Sequence, residues 1–300
     1  MNKLFIIGNG FDLAHDIKSS YEDFKSYLES KDSDERSDWE DTMESDNFDE
    51  RSDWEGETEL GNDISEQSDV IFDLLIYAIN EAEGGWWSNL EDTLGRINYD
   101  AFLSSNGYKN NEILLETLKT RADVFKDLLD SWVNEINIKD KQPKQDFIKL
   151  IGTNDLFFNF NYTSTLEKVY NVNKEKVFHI HGVAGEDVEF GHGAEYIYLG
   201  YEEAREVHES FRKDTGGIAD AYDYYFKDLP NHHIQEIYTF GFSYGDVDQV
   251  YLKKIFKGLD VTNGITWFFN DYDKEREEEF KAILEKCGFK GKYANYSVIS

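Results

Sequence analysis

Five short apolar runs, each ending abruptly in glycine or a polar residue, narrow what this chain can fold into more than any other feature. They are Leu4–Ile7, Asp155–Phe160, Lys176–Ile180, Glu236–Phe242 and Gly264–Phe269. Apolar character that is continuous rather than alternating marks strands buried on both faces, the habit of parallel sheets. Helical or irregular stretches separate the runs, so the expected class is α/β with a Rossmann-like mostly parallel sheet. Residues 1–20 together with 146–300 are expected to form that core, and 21–145 a large helical insertion after the first strand.

The insertion reads as helical almost throughout. Val70–Ile79 has strong helical patterning, and Trp86-Trp87 follows a Gly84-Gly85 break. In Asn111–Ile138, the residues Ile113, Leu114, Leu118, Val124, Phe125, Leu128, Leu129, Trp132 and Ile136 recur at roughly three and four positions, predicting one or two amphipathic helices. Pro143 closes the block. Between Lys31 and Asp69 seventeen acidic residues stand against three basic ones, a net of −14 out of the chain's −31. Within that segment Asp-Glu-Arg-Ser-Asp-Trp-Glu occurs twice, at Asp34–Glu40 and Asp49–Glu55. Two perfect copies indicate a local duplication, because a solenoid needs three or more units. A solvated helical or partly disordered excursion is expected there. Neither acidic run has the sixth-position glycine of a calcium loop, and no metal is expected.

Ligands of parallel sheets bind at the carboxyl ends of the strands. Those ends here read Gly8-Asn9-Gly10-Phe11-Asp12, Asn159-Phe160-Asn161-Tyr162-Thr163, His179-Ile180-His181-Gly182, Gly241-Phe242-Ser243-Tyr244-Gly245-Asp246 and Asn270-Asp271. The first is a strand, glycine turn and helix, which can aim bare N–H groups at a phosphate. It lacks the third glycine of the dinucleotide fingerprint, since Leu13 stands there. Its bland alternative is a tight turn with Asp12 as N-cap. Amide, hydroxyl and imidazole groups on one edge are what a nucleotide site with catalysis requires. Asn161 could hold a ribose hydroxyl or a water, and His181 could serve as general base. Of His179 and His181 only one is expected in the site.

Plainer readings exist for most of these residues. Asn161 could cap a turn, and Ser243 could be the N-cap of the helix containing Val250–Phe256. Asp246 and Asp248 would then be first-turn acids favoured by the helix dipole. His192, between Gly191 and Gly193, is expected in a loop over the site without a direct role, and His232-His233 on the surface. Gly241–Gly245 also matches a hydrolase nucleophile elbow. No histidine follows His233 to complete that triad, so an esterase is disfavoured.

Composition removes other classes. A net charge of −31 disfavours nucleic acid and anionic membranes as partners. No run is long enough for a membrane helix, no signal peptide is evident, and Cys287 is the single cysteine. A cytoplasmic protein is expected.

The order Gly-Asn-Gly-Phe-Asp, Phe-Asn-Tyr-Thr, His-Ile-His-Gly and Gly-Phe-Ser resembles the AbiH family of phage abortive-infection proteins. The resemblance runs nearly end to end and includes Trp87–Leu94 (Trp-Ser-Asn-Leu-Glu-Asp-Thr-Leu) and Asp246–Phe256. Through its strand-end motifs the chain also looks like a distant branch of the sirtuin-like NAD-binding fold. That second resemblance implies that the turn Gly8–Asp12, with Asn9 and Phe11, holds a nucleotide through Gly8 and Gly10. It implies that Asn161 holds the nicotinamide ribose beside Thr163 and that His181 is the catalytic histidine. Gly241 and Ser243 would lie near the phosphates and adenine ribose, and Asn270 near the adenosine. Asp12 replaces a serine and Thr163 an aspartate of the sirtuin pattern, and its four-cysteine zinc module is absent. Protein deacetylation is therefore not expected. The implied activity is hydrolysis of NAD, as substrate, at the nicotinamide–ribose bond when phage infection triggers it. The alternative is a nucleotide-binding sensor or scaffold that has lost catalysis. A phage-derived protein is the expected trigger, with the acidic repeat as one place to engage it, and a homo-oligomer is compatible with everything above.

Overall fold

The computed structural model describes residues 2–31, 70–82, 87–105, 111–120, 122–195, 202–259 and 264–298. The acidic repeat and the Gly84-Gly85-Trp86 break lie outside the described residues.

Six strands form one sheet: β1 Asn2–Ile7, β2 Leu156–Asn159, β3 Val177–His179, β4 Ile234–Phe240, β5 Thr266–Asn270 and β6 Lys292–Tyr296. All neighbours run parallel, in the order β3-β2-β1-β4-β5-β6. This is the strand order of the doubly wound dinucleotide-binding fold. Alternation explains the apolar runs. Leu4 and Ile6 join Leu156, Phe158, Ile237 and Trp267 on one face, while Phe5 and Ile7 join Phe157, Tyr238 and Phe240 on the other. Strand β6 was not among the five expected. Its sequence, Lys-Tyr-Ala-Asn-Tyr, is half exposed at the sheet edge and so carries little apolar signal.

Between β1 and β2 the chain makes α1 Asn9–Leu13, α2 Tyr21–Ser30, α3 Val70–Glu81, α4 Trp87–Leu94, α5 Tyr99–Ser105, α6 Asn111–Thr120, α7 Ala122–Glu135 and α8 Gln145–Leu150. Helix α2 starts at a capping box, in which Ser20 and Asp23 satisfy each other's backbone N–H groups. The amphipathic stretch expected over 111–138 is two helices, α6 and α7, and Leu118, Phe125, Leu128, Leu129 and Trp132 are buried as a core face. The apolar cluster of this helical layer also takes Val188, Phe190, Ala204, Val207 and Phe211. Those residues follow β3 in sequence, so residues assigned above to the sheet core complete the core of the cap. After β2 come α9 Thr165–Val169, α10 Glu202–Ser210, α11 Thr215–Ala221, α12 Asp223–Asp228, α13 Gln249–Leu259 and α14 Glu277–Lys286.

Register places the site. Ile7 pairs with Asn159 and with Phe240, and Asn159 pairs with His179, so four strands end level. From β1 the sheet proceeds one way to β2 and β3, and the chain then returns to add β4 on the opposite side. The loops leaving β1 and β4 therefore diverge, which opens a crevice at the carboxyl edge.

A crevice between the sheet edge and the helical cap

Gly8, Asn9, Asp12, Phe160, Asn161, Tyr162, Thr163, His181, Gly241, Phe242, Ser243 and Asp248 line this crevice from the sheet side. Trp87, Ser88, Glu91, Trp132, Ile136 and Phe190 close it from the cap. Its empty volume is about 660 Å³ with the open mouth and the solvent in it included. The cap is pinned to the glycine turn. Trp87 Nε1 donates to the Ser19 carbonyl at 2.8 Å, and the Ser19 hydroxyl donates to Asn9 Oδ1 at 2.7 Å.

The glycine turn is built differently from a bare phosphate cradle. The Gly10 N–H donates to the Gly241 carbonyl and the Phe11 N–H to the Gly8 carbonyl, so both donors are spent within the protein. Gly241 has φ +65°, and a Cβ on it would lie 2.3 Å from Gly10 Cα. The glycines thus let the β1 and β4 loops touch, a packing reason that applies whatever is bound. Gly10 supports this contact and does not line the crevice. Phe11 is fully buried on the other side of α1, against Phe147 and Phe240, and does not reach the crevice either.

Asp12 is not the N-cap; Gly8 is. Asp12 is buried beneath the crevice and accepts from Thr163 Oγ1 at 2.6 Å and from Thr165 Oγ1 at 2.8 Å. The two hydroxyls also lie 2.8 Å apart. A protonated Asp12 would close a ring in which each of the three groups donates once and accepts once. Burial pushes the Asp12 carboxyl up to about 6, with the threonine hydroxyls and the Asn161 amide opposing. Asp12 and Thr163 are therefore direct partners.

Asn161 leaves β2 in a loop held by two contacts: its N–H donates to Asn159 Oδ1 at 3.1 Å, and its carbonyl meets His179 Nδ1 at 3.0 Å. Its side-chain Nδ2 is buried with no partner at hydrogen-bond distance, although the amide still acts on the nearby Asp12 carboxyl. His179 points away from the crevice to Glu167, 2.9 Å from Nε2. His181 lies beyond the last residue of β3. Gly182 follows it at φ +82°, and a Cβ there would meet the Asp187 carbonyl at 2.0 Å, so this turn requires glycine.

His181 sits in a buried polar cluster. Its Nδ1 lies 3.2 Å from Lys213 Nζ, and its Nε2 lies 3.6 Å from Asp248 Oδ1. Lys213 Nζ is also 3.4 Å from Glu91 Oε1, and the lysine side chain is completely buried. Burial, reinforced by the Lys213 charge, lowers the His181 imidazole well below its ordinary value, so the ring is neutral. Burial raises Glu91, against the pull of Lys213. It pushes Asp248 up to about 7, Lys213 opposing and Glu91 adding to the rise. Neither His181 Nε2 nor Asp248 Oδ1 has a hydrogen-bond partner. Unpartnered buried polar atoms cost about 1–3 kcal/mol each. Three of them, counting Asn161 Nδ2, belong to residues lining one crevice.

Other expected residues fall elsewhere. Asn270 does not line the crevice, and its Oδ1 accepts from the Tyr272 N–H to cap the following turn. Ser243 lines the crevice and is not an N-cap; Gly245 caps the 3-10 turn Asp246–Asp248 that precedes α13. The left-handed residues of the Gly-x-Ser-x-Gly turn are Gly241, φ +65°, and Tyr244, φ +61°, rather than the serine, unlike a nucleophile elbow. Asp246 is exposed as a first-turn acid would be, but Asp248 is buried in the site. His192 is not in a loop over the site. It is fully buried, with its Nε2 2.9 Å from the His208 carbonyl. Sequence reasoning missed Glu91 and Lys213. Glu91 lies within the quoted Trp87–Leu94 string, on the helix face that Leu90 and Leu94 bury.

Fold and site together define a doubly wound α/β protein with a helical cap over its switch-point crevice. The model of the family described as bacteriophage abortive infection AbiH matches residues 4–271. The chain belongs to that family, and membership assigns it to phage defence by abortive infection. Searches of curated proteins and of solved structures returned no match. Among the described residues no helix is long and apolar enough to cross a membrane, and no group of three or more metal-ligating side chains occurs.

Proposed function

We propose that the protein defends by hydrolysing NAD at the nicotinamide–ribose bond within this crevice. The observation that carries the reading is the convergence, at the switch point, of Asn161, His181 and Asp248 with buried polar atoms that no protein group satisfies. A ribose and an attacking water supply the hydroxyl groups such atoms need. Asn161 would hold the ribose, as the sirtuin-like resemblance implies. Trp87, Trp132, Phe160 and Phe190 offer apolar surface for a ring. Cleavage passes through an oxocarbenium-like state that carbon–nitrogen bond breaking leaves positive. The carboxyl groups of Glu91 and Asp248 line the same space and, when ionised, favour that charge. The mutual pairing of Asp12 with Thr163 removes the argument that these two residues mark a lost activity, so the catalytic reading is preferred to a sensor or scaffold.

The test is the fate of NAD with the purified protein and in infected cells. Nicotinamide release by the wild type, reduced at least about 100-fold by both His181→Ala and Asn161→Ala while each variant stays folded, is the expected result. Undiminished NAD in infected cells that are nonetheless protected overturns the proposal.

A further inference from the structure

We infer that Asp248, and not His181, takes the proton from the attacking water, because Lys213 and Glu91 lock His181 as a hydrogen-bond donor. This rests on the NAD-hydrolase reading for the identity of the reaction but not for the geometry. An ammonium group has donors only, so the 3.2 Å contact between Lys213 Nζ and His181 Nδ1 makes Nδ1 the acceptor. A neutral imidazole carries one proton, which must then sit on Nε2. Nε2 faces Asp248 Oδ1 across 3.6 Å, too far for a direct bond and suited to a shared partner. A water there would accept from His181 Nε2–H and donate to Asp248.

The step balances. The water oxygen bonds to ribose C1′ and its proton passes to Asp248. The bond from C1′ to the pyridinium nitrogen breaks, and its electron pair stays on that nitrogen, releasing neutral nicotinamide and leaving ADP-ribose. Asp248 then returns the proton to solvent.

Lys213 and Glu91 are positioning residues. Glu91 comes from cap helix α4 and Lys213 from the segment between α10 and α11, so the tautomer of a residue at the sheet edge is set by the cap. The phenols of Tyr162 and Tyr251 also face the cluster, both held neutral well above the ordinary range by burial, with the Glu189 carboxylate acting on both and Asp214 on Tyr251.

Two measurements test this. The first needs no turnover: nitrogen NMR of the imidazole in isotope-labelled protein. A proton on His181 Nε2 in the wild type, and a mixture of tautomers in Lys213→Met, supports the lock. A proton on Nδ1 in the wild type overturns it. The second is kinetic. Asp248→Asn is expected to lower kcat at least 100-fold with KM changed less than threefold, and to abolish the rise in rate as pH passes through about 7. His181→Gln, which keeps a donor in a similar place, is expected to retain kcat within tenfold, and the exposed Asp246→Asn to behave as wild type. The reverse pattern, with His181→Gln inactive and Asp248→Asn active, overturns the inference while leaving NAD hydrolysis intact. A wild type without NAD hydrolysis overturns the base assignment together with the reaction, and the tautomer measurement then decides only whether Lys213 locks His181.

Discussion

Beneath the crevice Asp12 gives both of its oxygens to threonine hydroxyls, whereas at its wall Asp248 keeps one oxygen without a partner, 3.6 Å from an equally unpartnered histidine nitrogen. Both carboxyl groups are buried, and burial raises both, to about 6 and about 7. The difference lies in what satisfies them. The Asp12 cluster is closed and needs nothing from outside, as a group serving structure should be. The Asp248 cluster holds a buried cation, a second carboxyl and a neutral imidazole, and still leaves two polar atoms for a ligand. A fully satisfied buried network rigidifies, and an unsatisfied one is costly until a partner fills it.

The sharpest way to break this contrast is to remove the cation. Lys213→Met leaves Glu91 and Asp248 buried without compensation and should destabilise the protein by about 3–5 kcal/mol. Urea unfolding measures it, and the loss should be larger at pH 8 than at pH 6, because protonation relieves the stranded carboxylates. Adding Glu91→Gln should recover part of the loss.

Next in size is a pH effect confined to Asp12. Its proton is held more tightly in the folded chain than at the ordinary value of 3.8. Below about pH 4 both states are protonated and the group costs nothing. As pH rises to about 6 the unfolded chain gains by ionising and the folded one does not, so stability falls by about 3 kcal/mol and stays lower above that pH. Asp12→Asn should remove this slope, read as the difference between variant and wild-type unfolding free energies from pH 4 to pH 7. A difference that is flat with pH would place Asp12 with ordinary solvated carboxyls.

The smallest expected effect is Thr163→Val, which deletes one donor from the closed ring. It should cost about 1–3 kcal/mol and raise the Asp12 carboxyl further. Substrate affinity should change little if the ring serves structure, and a large rise in KM would show that Thr163 also contacts the ligand.

Legibility followed burial. Central strands β1, β2 and β4 could be read because both their faces are apolar. Edge strand β3 could still be read from its apolar Val177 and Phe178, and edge strand β6 could not, because Lys292 and Asn295 are exposed on opposite faces. Gly8, Asn9, Asp12, Asn161, Thr163, His181, Gly241 and Ser243 were all named from strand ends, and the structure brings them to one crevice. Phe11 and Asn270 were named by the same rule and lie outside it, since a residue at a strand end can turn toward either face. Glu91 and Lys213 escaped because a charged residue on a helix or loop is ordinarily solvated. Asp248 was read as a first-turn acid for the same reason, although a single residue separates it from the exposed Asp246.

The sequence alone determined the class of fold, the edge of the sheet where chemistry could gather and the family, because strand periodicity, glycine breaks and motif order are local properties. Only the tertiary structure decided which charges are buried and what they face. The Glu91–Lys213–His181–Asp248 cluster joins the cap, two loops and the sheet across 157 positions of chain. Desolvation, which sets the proton on each of its members, exists only once those segments have packed together.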